Sequence, residues 1–150
     1  MSRLVSLLPA ALVLTFVVAA TAAQPPVYTP APGGAAVSGY DPLAYFTDGK
    51  PIEGRPDLTY QWEGVTWQFA TPAHLEQFKA DPAKYAPQFG GYCAWAVSQG
   101  YSAPADPQAW KIVDGRLYLN YDLDVKKTWE QDVPGNIAKG EGNWPGVLER

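Results

Sequence analysis

The chain has 150 residues, of which 47% are hydrophobic and 17% are charged, and 11 Lys+Arg against 15 Asp+Glu give a formal net charge of -4. This length suits a single folded domain, and an acidic balance without a basic cluster argues against binding to nucleic acid. A single Cys and a single His exclude an intramolecular disulfide and a four-ligand structural zinc site built from one chain.

Residues 1–23 have the three parts of a secretory signal peptide. Arg3 gives a basic start, 4–20 form an apolar run, and small residues follow up to Ala23. We predict cleavage after Ala22 or Ala23. An uncleaved membrane anchor is disfavoured because the run is shorter than the ~20 residues that span a bilayer. The mature protein is therefore expected to be periplasmic or secreted, without stable insertion in a membrane.

The next segment, 24–36, is rich in Pro and Gly. Such a composition favours extended chain without packing, so it predicts a linker. The folded domain is expected over 37–144, followed by a short tail at 145–150.

The first predicted elements of the domain are a β-hairpin and a helix. Alternating aromatic and β-branched residues at 58–62 and 65–69 are joined by Glu63-Gly64, the sequence form of a hairpin. A helix should then begin after Thr71, with Pro72 in its first position, and run through Lys79.

The second half of the domain repeats this alternation. A helical stretch is predicted over 92–97, then a second hairpin over 110–119, a helix from Asp122 that stops before Pro134, and a short amphipathic turn over 134–139. Two antiparallel hairpins packed against three or four short helices predict a small single α+β domain. Trp67, Trp95 and Trp129 are expected in its core.

His74 is the only histidine, so any chemistry that needs imidazole depends on it. Its position in the first turn of the predicted helix, on a different face from Leu75 and Phe78, is typical of a half-exposed helical histidine. The alternative is a metal ligand or a proton relay.

Cys93 is the only cysteine and follows Gly90-Gly91-Tyr92 in the first turn of a predicted helix. The free N–H groups of a helix N-terminus can lower the pKa of a thiol and make it a nucleophile or a soft-metal ligand. Its apolar neighbours favour the opposite interpretation, a buried cysteine that acts as a small hydrophobic residue.

Several motifs together resemble the exported bacterial YHS-domain proteins. The match covers roughly 37–144. It is carried by 39–46 (GYDPLAYF), 60–69 (YQWEGVTWQF), 78–85 (FKADPAKY), 88–100 (QFGGYCAWAVSQG) and 117–121 (LYLNY).

The resemblance implies a metal site. Some YHS domains, including those attached to copper-exporting ATPases, look like metal-binding modules with three cysteine positions. Here Ala44 and Ala70 occupy the first two positions and His74 the third. By family association, Tyr40 and Asp41 are possible neighbours of Cys93, and Tyr92 is a further candidate functional position. As a residue type, Asp41 is also a turn or cap candidate.

The leading hypothesis is therefore a non-enzymatic domain that handles a metal ion, copper or else zinc, with His74 and Cys93 as ligands. One alternative is a thiol-dependent enzyme or redox sensor built on Cys93. Another is a binding module whose aromatic pocket holds a small molecule. The metal hypothesis needs His74 and Cys93 close together, the thiol hypothesis needs an accessible Cys93, and the pocket hypothesis needs neither.

Overall fold

The structure is a computed structural model that describes Val17 and residues 22–150. Most of the predicted signal peptide lies outside these residues. Within the part of the chain that the structure describes, no helix has both the length and the apolar character needed to cross a bilayer.

The predicted α+β class is confirmed. The described residues form two separate antiparallel hairpins with helices between and after them. In chain order the helices and strands are α1 Ala44–Thr47, β1 Arg55–Trp62, β2 Val65–Phe69, α2 Pro72–Ala80, α3 Pro82–Tyr85, α4 Ala94–Ser98, β3 Asp106–Val113, β4 Arg116–Asn120, α5 Leu123–Trp129 and α6 Val133–Asn143. The helices outnumber the predicted three or four because α1 and α3 have only four residues each and α6 is longer than the predicted turn.

Both hairpins close through two-residue turns whose backbone is left-handed at both positions. Glu63 and Gly64 have φ values of 52° and 73°, and Asp114 and Gly115 have values of 50° and 74°. This geometry matches the right-handed twist of the paired strands and explains why glycine takes the second position. Both predicted hairpins are thus present. In each, the pairing register shifts within the first strand, between Arg55 and Thr59 in β1 and between Asp106 and Trp110 in β3.

Side-chain caps fix where the helices begin. The Thr71 hydroxyl accepts a hydrogen bond from His74 N at the start of α2, and the Asp122 carboxylate accepts one from Val125 N at the start of α5. Each bond satisfies a backbone donor that has no partner within its helix. The sequence predicts Cys93 inside the first turn of a helix. In the structure Cys93 instead precedes the first residue of α4 as its N-cap, and its side chain accepts a hydrogen bond from Ala96 N.

The core consists of two clusters of buried side chains. The first core cluster is centred on Trp67, Phe69 and Phe78, and the second is centred on Trp129. Strand β4 lies between them, since Leu117 and Leu119 belong to the first cluster and Tyr118 to the second. Trp95, predicted in the core, is only partly buried against the second cluster.

Both ends of the domain pack more closely than the sequence predicts. In the predicted linker, Val27 is buried in the first core cluster and Tyr28 N donates to Gly90 O at 2.9 Å. In the predicted tail, Val147 and Leu148 are buried in the second core cluster. Composition favoured free chain here, but apolar side chains and backbone hydrogen bonds hold both segments against the domain.

Candidate functional site

The candidate site is built around Asp41, a fully buried carboxylate just before α1. Its Oδ1 accepts a hydrogen bond from Leu43 N at 2.8 Å, which makes the local turn that the sequence predicts for an Asp of this kind. Its Oδ2 accepts from Ala70 N, also at 2.8 Å, directly after β2. Asp41 therefore ties the start of α1 to the end of the first hairpin.

His74 completes the environment of this carboxylate. Its Nδ1 lies 2.5 Å from Asp41 Oδ2, and its side chain is only 12% exposed. The Asp41 carboxylate already accepts two backbone N–H bonds, so we assign the Nδ1 proton as the donor. In the neutral ring, Nε2 then carries the free electron pair. The sequence predicts a half-exposed histidine, whereas the structure shows a mostly buried histidine whose ring is oriented by the buried Asp41 carboxylate.

The outer nitrogen of His74 faces two polar side chains at the end of α1. Nε2 lies 3.1 Å from the Thr47 hydroxyl and 3.8 Å from Asp48 Oδ2. Asp48 is 41% exposed, so this end of the ring lies near solvent. Thr47 also contacts the Asp48 carboxylate at 2.8 Å. The arrangement is a line of polar groups from a buried acid, through an imidazole, to an exposed acid.

The positions that the YHS resemblance associates with metal ligands meet at this same place. Ala70 N donates to the Asp41 carboxylate, Ala44 N donates to Asp41 O at 3.2 Å, and His74 binds the carboxylate through Nδ1. The two alanine methyl groups provide no ligand atom. Imidazole is the one ligand type that remains at these three positions.

Cys93 has a different environment, within the second half of the domain. Its side chain is 1% exposed, and its Sγ accepts a hydrogen bond from Ala96 N at 3.5 Å and lies 3.7 Å from Asn120 Oδ1. Burial raises the pKa of the thiol, and this effect outweighs the nearby backbone N–H groups that would lower it. The thiol also lines a pocket of about 310 Å³ with Tyr101 and Tyr121.

The structure thus brings Asp41 and His74 together and places Cys93 among other neighbours. Tyr40 packs against the first core cluster, whereas Tyr92 belongs to the second and donates from its hydroxyl to Pro25 O at 2.7 Å. Across 22–150, no three His, Cys, Asp or Glu side chains form a set that could hold a metal ion. The pairing of His74 with Cys93 stays a prediction.

Sequence reasoning missed Thr47 and Asp48 as members of the site. Both lie 26 or more residues before His74 in the chain, and neither belongs to a spacing typical of metal ligands or catalytic groups. Asp41 was recognised as a candidate, but as a turn residue or as a neighbour of Cys93. Only the tertiary contact between the end of α1 and His74 places these groups beside the imidazole.

Comparisons of the chain with protein-family models, with curated proteins and with solved structures found no match.

Proposed function

We propose that the chain is an exported, non-enzymatic domain of the YHS type that binds a transition-metal ion, copper first, through Nε2 of His74. The observation that carries the proposal is the 2.5 Å contact between His74 Nδ1 and the buried Asp41 carboxylate. Histidines that bind metals usually donate their second ring nitrogen to a carboxylate or carbonyl, which fixes the ring and makes the free nitrogen a better ligand.

Asp48 is the best placed second ligand. Its Oδ2 lies 3.8 Å from Nε2. Metal–nitrogen and metal–oxygen distances are each about 2 Å, so one ion between these atoms can contact both. The Thr47 hydroxyl, 3.1 Å from Nε2, would have to turn away. Imidazole with carboxylate suits Cu²⁺ or Zn²⁺ better than Cu⁺, which prefers thiolate.

The number of protein ligands argues for exchangeable rather than permanent binding. A closed structural zinc site has four protein ligands. His74 and Asp48 supply two, and water would complete the coordination. Such a site suits a protein that receives and releases a metal ion, which is the meaning we give to metal handling.

The order carboxylate, imidazole, hydroxyl also occurs in hydrolases, but the surroundings of Thr47 favour binding over catalysis. An acyl-transfer site needs free N–H donors for the developing oxyanion. The N–H groups of Thr47 and Asp48 are both occupied, by Leu43 O at 3.0 Å and Ala44 O at 2.8 Å. The local helix therefore leaves neither amide free to stabilise such an intermediate.

The thiol-dependent alternative receives less support from the geometry. Cys93 caps α4, is almost fully buried, and has a raised pKa because of that burial. A protonated, inaccessible thiol is a poor nucleophile. These features favour a structural role for Cys93.

The direct experiment is a Cu²⁺ titration of the untagged mature protein, followed by calorimetry and by the electron paramagnetic resonance spectrum. We expect one site with a single imidazole nitrogen bound to copper, and a loss of affinity of about 10-fold or more in His74→Gln and Asp48→Asn. Asp124→Asn, which removes the same charge from an exposed position on α5, is the matched control. Equal binding by His74→Gln and the parent would refute the proposal.

A gain-of-function variant tests the YHS assignment separately. Ala44→Cys combined with Ala70→Cys would restore two thiols beside His74. If the positions correspond to those of metal-binding YHS domains, this double variant should bind Cu⁺ or Zn²⁺ much more tightly than the parent. A folded double variant with no gain would show that the positions do not correspond.

A further inference from the structure

A second cleft, lined by neither Asp41 nor His74, lies where the two core clusters meet. It has a volume of about 300 Å³, and its walls come from the N-terminal segment, the first hairpin, α3 with the stretch after it, and the residue after α6. Small-molecule sites often lie between packed units, and this volume is at the lower end of their usual range of about 300–1,000 Å³. We call it the tryptophan cleft, after Trp62, Trp67 and Trp144, which line it.

Two tryptophan rings of the cleft, those of Trp62 and Trp144, pack against buried aromatic side chains of the core. Trp62 packs at 5.7 Å, ring centre to ring centre, on the buried Trp67. Trp144 packs at 6.0 Å on the buried Phe89 and also contacts Tyr92. Trp62 and Trp144 are themselves only partly buried, so each presents part of a fixed ring surface. A ligand would therefore meet preorganised aromatic walls from both halves of the domain.

The charge at the cleft is negative. Glu63 is the only ionisable side chain among its lining residues, and it lies exposed at the tip of the first hairpin. Among the described residues Glu63 forms no ion pair. Lys84, which lies in the sequence between the lining residues Ala83 and Ala86, is placed over the ring of Tyr85 at 5.1 Å. The net charge of the chain, -4, has the same sign.

We propose that the tryptophan cleft binds a small organic cation, with an alkylammonium group against Trp62 and Trp144 and the Glu63 carboxylate beside it. The electron-rich face of an indole attracts a cation, and tryptophan is the most effective of the aromatic side chains in this role. The carboxylate adds an attraction that a neutral ligand of the same shape does not gain. This site shares no residue with the proposed metal site, so either proposal can fail without the other.

The test is a titration of the full mature protein with choline, read by tryptophan fluorescence and by calorimetry. The comparison ligand is the uncharged carbon isostere of choline, in which a tert-butyl group replaces the trimethylammonium group. We expect saturable binding of choline and at least about 5-fold weaker binding of the isostere, because the charge is the source of the attraction. Equal binding of both ligands, or no saturable binding of choline, would overturn the proposal.

Two conservative variants locate the site. Glu63→Gln should weaken choline binding about 3- to 10-fold and reduce its dependence on salt, since it removes the one carboxylate of the cleft. Glu76→Gln, an exposed change on α2, is the matched control and should leave binding unchanged. If both variants lose affinity equally, the cation binds through general charge and the proposal is wrong.

Trp144→Phe keeps an aromatic ring while it removes the indole, and we expect it to weaken choline binding. Trp110→Phe is the matched control because Trp110 packs on Tyr45 and does not line the cleft. Circular dichroism of both variants checks that the fold is retained. Binding of a neutral sugar in place of choline, lost in Trp144→Phe, would contradict a cation site and identify the cleft as a stacking site for carbohydrate.

Discussion

Replacing Asp41 with asparagine removes the charge of the buried carboxylate but keeps its shape. The amide has one acceptor oxygen where the carboxylate has two. If that oxygen takes the position of Oδ2, it can still accept from Ala70 N and His74 Nδ1, but the new NH2 group then faces Leu43 N–H, donor against donor. If the amide is reversed, two donors lose their acceptor instead of one.

The cost can be estimated from these contacts. A buried donor left without its acceptor costs about 1–3 kcal/mol, and hydrogen bonds to a charged group are worth about 1.5–3 kcal/mol, more than neutral ones. One lost bond and two weakened ones give an expected loss of about 2–4 kcal/mol in the free energy of unfolding for Asp41→Asn. With a urea dependence of about 2 kcal/mol per molar, the middle of the usual range, the unfolding midpoint should fall by roughly 1–2 M.

Urea unfolding followed by tryptophan fluorescence measures this shift. Asp48→Asn is the matched control, because it makes the same chemical change at a partly exposed carboxylate next to the same histidine. We expect its effect to stay within about 0.5 kcal/mol. Midpoints of Asp41→Asn and Asp48→Asn that lie equally close to the parent would refute the role we assign to the buried carboxylate.

Three further predictions concern the packing of the domain. Cys93 should react slowly with an alkylating reagent in the native state and rapidly in urea, and native labelling as fast as denatured labelling would contradict this. Because burial raises the pKa of the Cys93 thiol, the contribution of this thiol to the free energy of unfolding should be constant below pH ~8.5 and decline above it. The Cys93→Ala variant should lack this decline. Trp67→Ala and Trp129→Ala should each lower the free energy of unfolding by about 3–5 kcal/mol, measured by urea unfolding, since both rings are buried; an unchanged midpoint would show otherwise. Gly90→Ala should reduce thermal stability, because φ is +61° and a Cβ would collide with Pro26 O; an unaltered melting temperature would disprove that close approach.

The hairpins and the main helix could be predicted because their signals are local. Glu63-Gly64 between alternating strands specifies a two-residue turn, and Thr71 followed by Pro72 specifies a helix start. Each signal depends on residues within a few positions of one another, so the sequence contains it directly. The α+β class follows from the order of these elements.

The candidate site could be predicted only in part, because its contacts join distant segments. The uniqueness of His74 made it a candidate, but nothing local indicated that Asp41, 33 residues earlier, would bind its Nδ1. Similarly, the Pro-rich composition around Val27 suggested free chain, although a single apolar side chain and a few backbone hydrogen bonds dock it. For Cys93 the sequence allowed both a reactive and a buried thiol, and the packing of α4 favours the buried one.

The central claim is that Asp41 holds the His74 ring so that Nε2 is free to bind a metal ion. Because His74 is the only histidine, a long-range proton–nitrogen NMR spectrum of the mature protein reports both ring nitrogens of this one residue. We predict that Nδ1 carries a proton, and that the Nε2 resonance shifts on addition of Zn²⁺ while Nδ1 keeps that proton. A ring protonated on Nε2, or an Nε2 resonance that does not respond to Zn²⁺ or to Cu²⁺ broadening, would contradict the account.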